Sequence, residues 1–589
     1  MGDIHRFKRA HPAPRLVSSS DNQRTTRRRF LASVGASGGV AVTSALAGCS
    51  GGGESDAGGE TSDASGDGTT ASDTEGGGGE AGEALPSYQY FNNPAAYNAA
   101  RHDAINLIGT RLNDLGLDVG VEVFEWGTLY TRVRDERNFD FCTWNHTHDI
   151  YPGLLMNEFF RSSNTDPGEG NFTGWHSEET DELLATALSS SETSERVDAL
   201  HEFQNTITEA APTNPIVQMP SVVAYNSDQV SGWVDHVSGP GYFYNMTSIE
   251  VDNPENQLRG SWSETIGTLN PVGAPAQTKV SHQLDVLYDN LVRFDGNLEI
   301  DPEAGLASDW ERPDRTTVRY AIKDHQWHDG EPLTPEDVAF TFNYMKEHGA
   351  PLYGTQIQMY EDAEVLDDGR VQINFTEENA PGPVHLLLSS QVPIIPQHIW
   401  SERDAPLDMQ ITEPVGSGPL MFDYWDQGSE LSLVKNENHF YPVSFDSRIW
   451  RIIPESSTTW ELLLNGDLNY LPFSRIGKQL NDNREESQIG VYQMPGNGWW
   501  HCSMNTRNPG MDDRAFRQAV VNTLPKTAIV DQILYGFPEP GFNLVNESFG
   551  QYHNPDVPRY DESMETARGR LQEAGYVYDD DGTLHFPAE

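Results

Sequence analysis

The side chains best suited to chemistry fall in a few short runs of this 589-residue chain. His146 and His148 stand one residue apart, and alternate positions on an extended segment point the same way. The pair could therefore offer two imidazoles to a metal or a metal chelate. No third ligand stands beside them, and two polar loop histidines are the plainer reading. Trp499, Trp500 and His501 form an aromatic run suited to stacking on a ligand, with one tryptophan expected in the core instead. Gly416, Ser417 and Gly418 would let backbone amides approach a ligand, or simply turn the chain. The body contains neither a Gly-x-Ser-x-Gly elbow nor a His-Glu-x-x-His pair. No catalytic residue, resident metal or cofactor is expected.

Alternating helices and strands must position these runs. Ala104, Ile105, Ile108, Leu112 and Leu115 recur at helical spacing until Gly116, and Val119, Val121 and Val123 then alternate as a strand. Two amphipathic helices occupy 177–211, closed by Pro212 and Pro215. After the strand-like 318–322, Thr334 caps a helix opened by Pro335, Glu336 and Asp337. Helices at 513–521 and 562–574 follow, the second ended by Gly575; a turn at 579–582 then leads into a strand at 583–586. This alternation predicts an α/β fold.

The chain carries 89 acidic and 38 basic side chains, a formal net charge of −51, and only seven lysines. Such a surface excludes nucleic-acid binding through a basic face, which needs positive charge along phosphates. It fits life in molar salt, where screening acts within about 3 Å and a self-repelling acidic surface is tolerated.

The first 48 residues depart from that composition, with eight basic and two acidic side chains. Thr26-Arg27-Arg28-Arg29-Phe30-Leu31 resembles a twin-arginine export motif, and a mildly apolar, charge-free stretch follows. Leu46-Ala47-Gly48-Cys49 resembles a lipobox, with Cys49 as the lipidated first mature residue. The expected plan is a leader at 1–48 and an acidic Gly/Ser tether at 49–84. The body is then held at the extracellular face of the membrane by lipid. Five glycosylation sequons occur, at Asn145, Asn171, Asn245, Asn374 and Asn546.

Residues 327–342, Trp-His-Asp-Gly-Glu-Pro-Leu-Thr-Pro-Glu-Asp-Val-Ala-Phe-Thr-Phe, closely resemble the signature of the family 5 extracellular solute-binding proteins. These are the peptide- and nickel-binding receptors of ABC importers. Segments 268–271, 287–291, 306–310, 416–419, 505–506 and 512–519 stand in register, so the resemblance covers nearly all of 258–589. It implies two α/β lobes on a hinge, a periplasmic-binding-protein-like fold of cluster C type with an extra subdomain. The family's C-terminal segment resembles residues 101–215 in order, so the chain reads as circularly permuted. The expected second lobe joins 85–215 with 501–589, the first joins 216–302 with 401–500, and 303–400 is the extra subdomain. Strand-like 88–91 should then lie beside 583–586.

By the same resemblance, Asp149 stands where peptide-binding members pair a carboxylate with the ligand's ammonium, although the Asp-Pro that usually follows is missing. Cys142 and Cys502 would lie on second-lobe strands near the cleft, where an extracytoplasmic location permits a disulfide. The resulting expectation is a lipid-anchored, monomeric receptor that delivers a small solute, peptide first, to an ABC permease. A nickel, metal-chelate or oligosaccharide receptor of the same fold is the alternative, and an extracellular hydrolase the reading from another class.

Overall fold

The computed structural model describes residues 81–147, 151–190, 192–263, 265–274, 278–376, 390–403, 405–472 and 476–588. The leader, Cys49, residues 49–80 of the expected tether, His148 and Asp149 lie outside them; the last four residues assigned to the tether, Ala81–Ala84, lie inside and form a strand instead of flexible linker.

A mixed sheet organises the site. Its strands run in the order Tyr470–Leu471, Thr213–Asn226, Ile489–Met504, Phe141–Cys142, Tyr88–Asn92 and Val119–Val123. Strand Tyr88–Asn92 is parallel to both its neighbours, as expected where a helix makes the crossover. That helix, Ala99–Asp114, buries Ala104, Ile105, Ile108 and Leu112 along one stripe. It stops where Gly116 takes a φ of +103°, a conformation that favours glycine. Thr213–Asn226 and Ile489–Met504 are long antiparallel partners in the interior of this sheet.

One buried cluster unites residues 88–119 with residues 500–584. Tyr88, Ile105 and Ile108 meet Phe516, Val520, Leu571 and Leu584 in it. Tyr88 donates its hydroxyl to the Pro509 carbonyl at 2.9 Å, and Arg111 pairs with Glu562 at 2.8 Å. The expected neighbour of the last strand is corrected here. Leu584–Pro587 pairs with Ala81–Ala84, not with 88–91. Tyr88–Asn92 is buried at four of its five positions and takes an interior place in the large sheet, which leaves the preceding segment to cover the short terminal strand.

A second, larger cluster holds residues from 151–207 together with Leu258, Leu284, Trp450 and many others. Buried packing therefore continues across residue 215, where the sequence places a boundary. Two further four-stranded sheets frame this region. One orders Leu420–Asp426, Glu430–Lys435, Ser447–Ile452 and Gln257–Trp262; the other orders Ala307–Glu311, Thr317–Ile322, Val371–Phe375 and Tyr360–Val365. Helix Pro335–His348 starts where the Asp337 carboxylate accepts the Thr334 amide at 2.8 Å. The 327–342 string is thus a turn between a strand and a capped helix.

Candidate functional site

Strand Asn145–Thr147 pairs with the long strand, placing His146 opposite Trp499. The His146 ring lies 4.8 Å from the His501 ring at 24°, and 5.3 Å from Trp499. The Trp144 indole donates to His146 Nε2 at 2.6 Å, which places that imidazole's proton on Nδ1. Phe159 closes the group at 4.3 Å from His146. His501 is fully buried, its Nδ1 hydrogen-bonded with Ser503 Oγ at 2.7 Å. Burial, with the Arg101 charge adding to it, pushes its pKa down to about 3, so the ring is neutral.

His146, Trp499 and His501 therefore come together as an aromatic patch in which the two imidazoles stack and the indole lies tilted or edge-on. Trp500 does not join them. It alternates to the other face and packs with Ile216 and Phe516. The 416–418 turn lies apart from the patch, with its glycines pressed on the chain itself. A Cβ at Gly416 would lie 1.8 Å from the Leu287 carbonyl, and one at Gly418 2.5 Å from that of Val286. Ser417 Oγ accepts the Asp289 amide at 3.2 Å, so the glycines serve close backbone approach instead of lining a cavity.

The disulfide is also corrected, since both cysteines are free and buried. Cys142 is paired directly with Ser503 and so shares its face, while Cys502, one residue earlier, faces the opposite side. Cys142 accordingly packs with Phe91 and Phe139, and Cys502 with Tyr90 and Met504.

Two cavities flank an irregularity between Met494 and Gly498 of the long strand. Asn546 holds this segment by donating to the Gly496 carbonyl at 2.7 Å. The first cavity, about 420 Å³, is bordered by Gln218, Asp235, Gln493, Glu539, His553 and Arg559. The second, about 300 Å³, lies between Asn497 and an aromatic wall of Tyr242, Phe243, Tyr244, Phe294 and Tyr353. Into it face Asp285 and Arg293, joined at 2.7 Å, with the guanidinium 3.8 Å above the Phe243 ring. Asp285 also accepts the Phe243 amide at 2.8 Å, so the pair is fixed before any ligand arrives. Rings plus a few pre-set polar groups suit a small amphipathic solute.

Sequence reasoning missed this second cavity. Its signal was the triplet Tyr242-Phe243-Tyr244 beside Gly239-Pro240-Gly241, ahead of a helix that carries Asp285. Among the described residues, three converging His, Cys, Asp or Glu side chains of metal-binding geometry occur at Asp289, His325 and His439, and not around His146.

Residues 301–588 match the family model of the bacterial extracellular solute-binding proteins, family 5 middle. Over that stretch the chain is similar to family 5. Relatives of this chain include the dipeptide-binding protein of Escherichia coli strain K12, 24% identical over 312 residues, 49% of this chain and 58% of the relative. The oligopeptide-binding protein AppA of Bacillus subtilis strain 168 is 24% identical over 317 residues, 50% of this chain and 54% of the relative. Among solved structures, NikZ of Campylobacter jejuni in complex with Ni(L-His) aligns with a TM-score of 0.42 and 19% identity, covering 56% of this chain and 66% of that one. The chain thus spans little more than half the length of the curated relatives it matches.

Proposed function

We propose that this protein is an extracytoplasmic solute receptor of an ABC importer. It captures a small solute beside the long central strands and delivers it to a membrane permease, and peptides are the first class to expect. The match of residues 301–588 to the family 5 model carries this reading. The aromatic cavity with its fixed Asp285–Arg293 pair supports it, because rings and pre-paired charges can hold a peptide-sized ligand without reacting with it.

The proposal extends to export by the twin-arginine route, lipid attachment at Cys49 and function in molar salt. It also includes a circularly permuted order of segments. The pairing of Ala81–Ala84 with Leu584–Pro587, and the core shared by Tyr88 and Phe516, support the permutation.

A thermal-shift screen in molar KCl against di- to pentapeptides, metal chelates and oligosaccharides tests the reading, since a ligand bound only by the fold raises apparent stability. Peptides should raise the melting temperature. A response to metals or sugars alone would overturn the peptide assignment. Asp149→Asn should weaken any peptide response, and an unchanged response would remove that residue as the ammonium anchor.

A further inference from the structure

Asp289, His325 and His439 arrive from three separate parts of the chain and meet at one point. Asp289 follows helix Thr278–Leu287, His325 opens the short strand His325–Gln326, and His439 lies beyond strand Glu430–Lys435. Their donor atoms all lie within 4.8 Å of one another. His439 Nε2 is 3.1 Å from Asp289 Oδ1, and His325 Nε2 is 3.5 Å from Asp289 Oδ2. A fourth donor is present, because the Ser417 carbonyl oxygen lies 2.8 Å from His325 Nε2. The three side chains are only 0%, 5% and 1% exposed.

We propose that Asp289, His325 and His439, with the Ser417 carbonyl, form a site for one divalent transition cation of the zinc type. Two imidazoles and oxygen donors are the set such ions prefer. Ligands about 2.05 Å from a tetrahedral ion stand roughly 3.3 Å apart, and three separations in the group, 3.1, 3.5 and 2.8 Å, straddle that value.

The surroundings are those of a ligand set. His439 Nδ1 lies 3.0 Å from both the amide nitrogen and the carbonyl oxygen of Tyr441, so backbone groups fix that ring's orientation. The Asp289 amide donates to Ser417 Oγ, tying the first ligand to the loop that supplies the fourth. This gives the close glycine contacts at 416 and 418 a purpose, since only a turn without Cβ atoms there brings Ser417 over residues 286–288. The site is separate from the His146 patch and from the lining of both cavities.

The test is metal uptake by the full chain, stripped with chelator and titrated with Co(II), Zn(II) and Ni(II) in molar KCl. The expected result is one Co(II) per chain with the visible absorption of a four-coordinate ion, displaced by Zn(II). His439→Gln and Asp289→Asn should each weaken uptake by at least about 100-fold, while His146→Gln keeps it. Absence of stoichiometric uptake by the wild-type chain, a reading that needs no variant to fold, would overturn the site. So would uptake unchanged in His439→Gln, or lost in His146→Gln alone.

Discussion

The imidazoles of His146 and His501 stack nearly face to face, 4.8 Å apart and 24° from parallel, although they are far apart in sequence. Strand pairing brings them together, because Asn145–Thr147 lies against residues 498–500 of the long strand. Their neighbour Trp499 and the cavity residue Asn497 belong to that same strand. One continuous strand therefore carries both the aromatic patch and the rim of the second cavity.

The buried ring of His501 makes stability depend on pH. Its pKa is about 3 in the fold, against 6.5 when exposed. Between these values the unfolded chain binds one more proton, so stability falls as pH falls through that window. His501→Phe removes the effect. Urea unfolding from pH 6 to 4 should show the variant gaining on the wild type by about 1.4 kcal/mol per pH unit. A difference that does not change with pH would show that the ring is not held neutral by burial.

Lys526 makes the complementary prediction at alkaline pH. It is buried and donates to the Gly541 carbonyl at 2.6 Å, and burial lowers its pKa from 10.5 to about 7. Between pH 7 and 10.5 the unfolded chain holds the extra proton, so stability rises with pH. The wild type should gain on Lys526→Met by about 1.4 kcal/mol per unit from pH 7.5 to 10. Parallel curves would contradict this.

Gly416→Ala should be strongly destabilising, since its Cβ would lie 1.8 Å from the Leu287 carbonyl, a contact with backbone that cannot swing away. A loss of at least about 3 kcal/mol is expected by denaturant unfolding. Gly267→Ala, where nothing lies within 4 Å, should change stability little. Equal effects would refute the close approach.

Cys142 and Cys502 should both be alkylated in denaturant without prior reduction, each adding one label by intact mass. Opposite faces of the sheet keep them from bridging. An unlabelled pair that reacts only after reduction would show a disulfide.

Local periodicity was legible in advance. The stripe Ala104–Leu112 and the alternation of Val119, Val121 and Val123 became helix Ala99–Asp114 and strand Val119–Val123, because burial on one face suffices to specify each. Thr334 and Asp337 likewise announced their helix. Long-range choices were not legible. Ala81–Ala84 lies in a stretch with no apolar pattern, yet it takes the edge that 88–91 was expected to fill. For the site, His146, Trp499 and His501 were found as residue types, but Trp500 was lost to the opposite face by simple alternation. Asp289, His325 and His439 carry no shared motif, and only the folded chain brings them together.

Calorimetric titration of short peptides into the full chain in molar KCl tests the receptor assignment most directly. Saturable binding of one peptide per chain, with a negative heat-capacity change from burial against the Tyr242–Tyr244 wall, is the predicted result. Heat that never saturates and grows with peptide cleavage, or no binding of any peptide beside tight binding of another solute class, would contradict it.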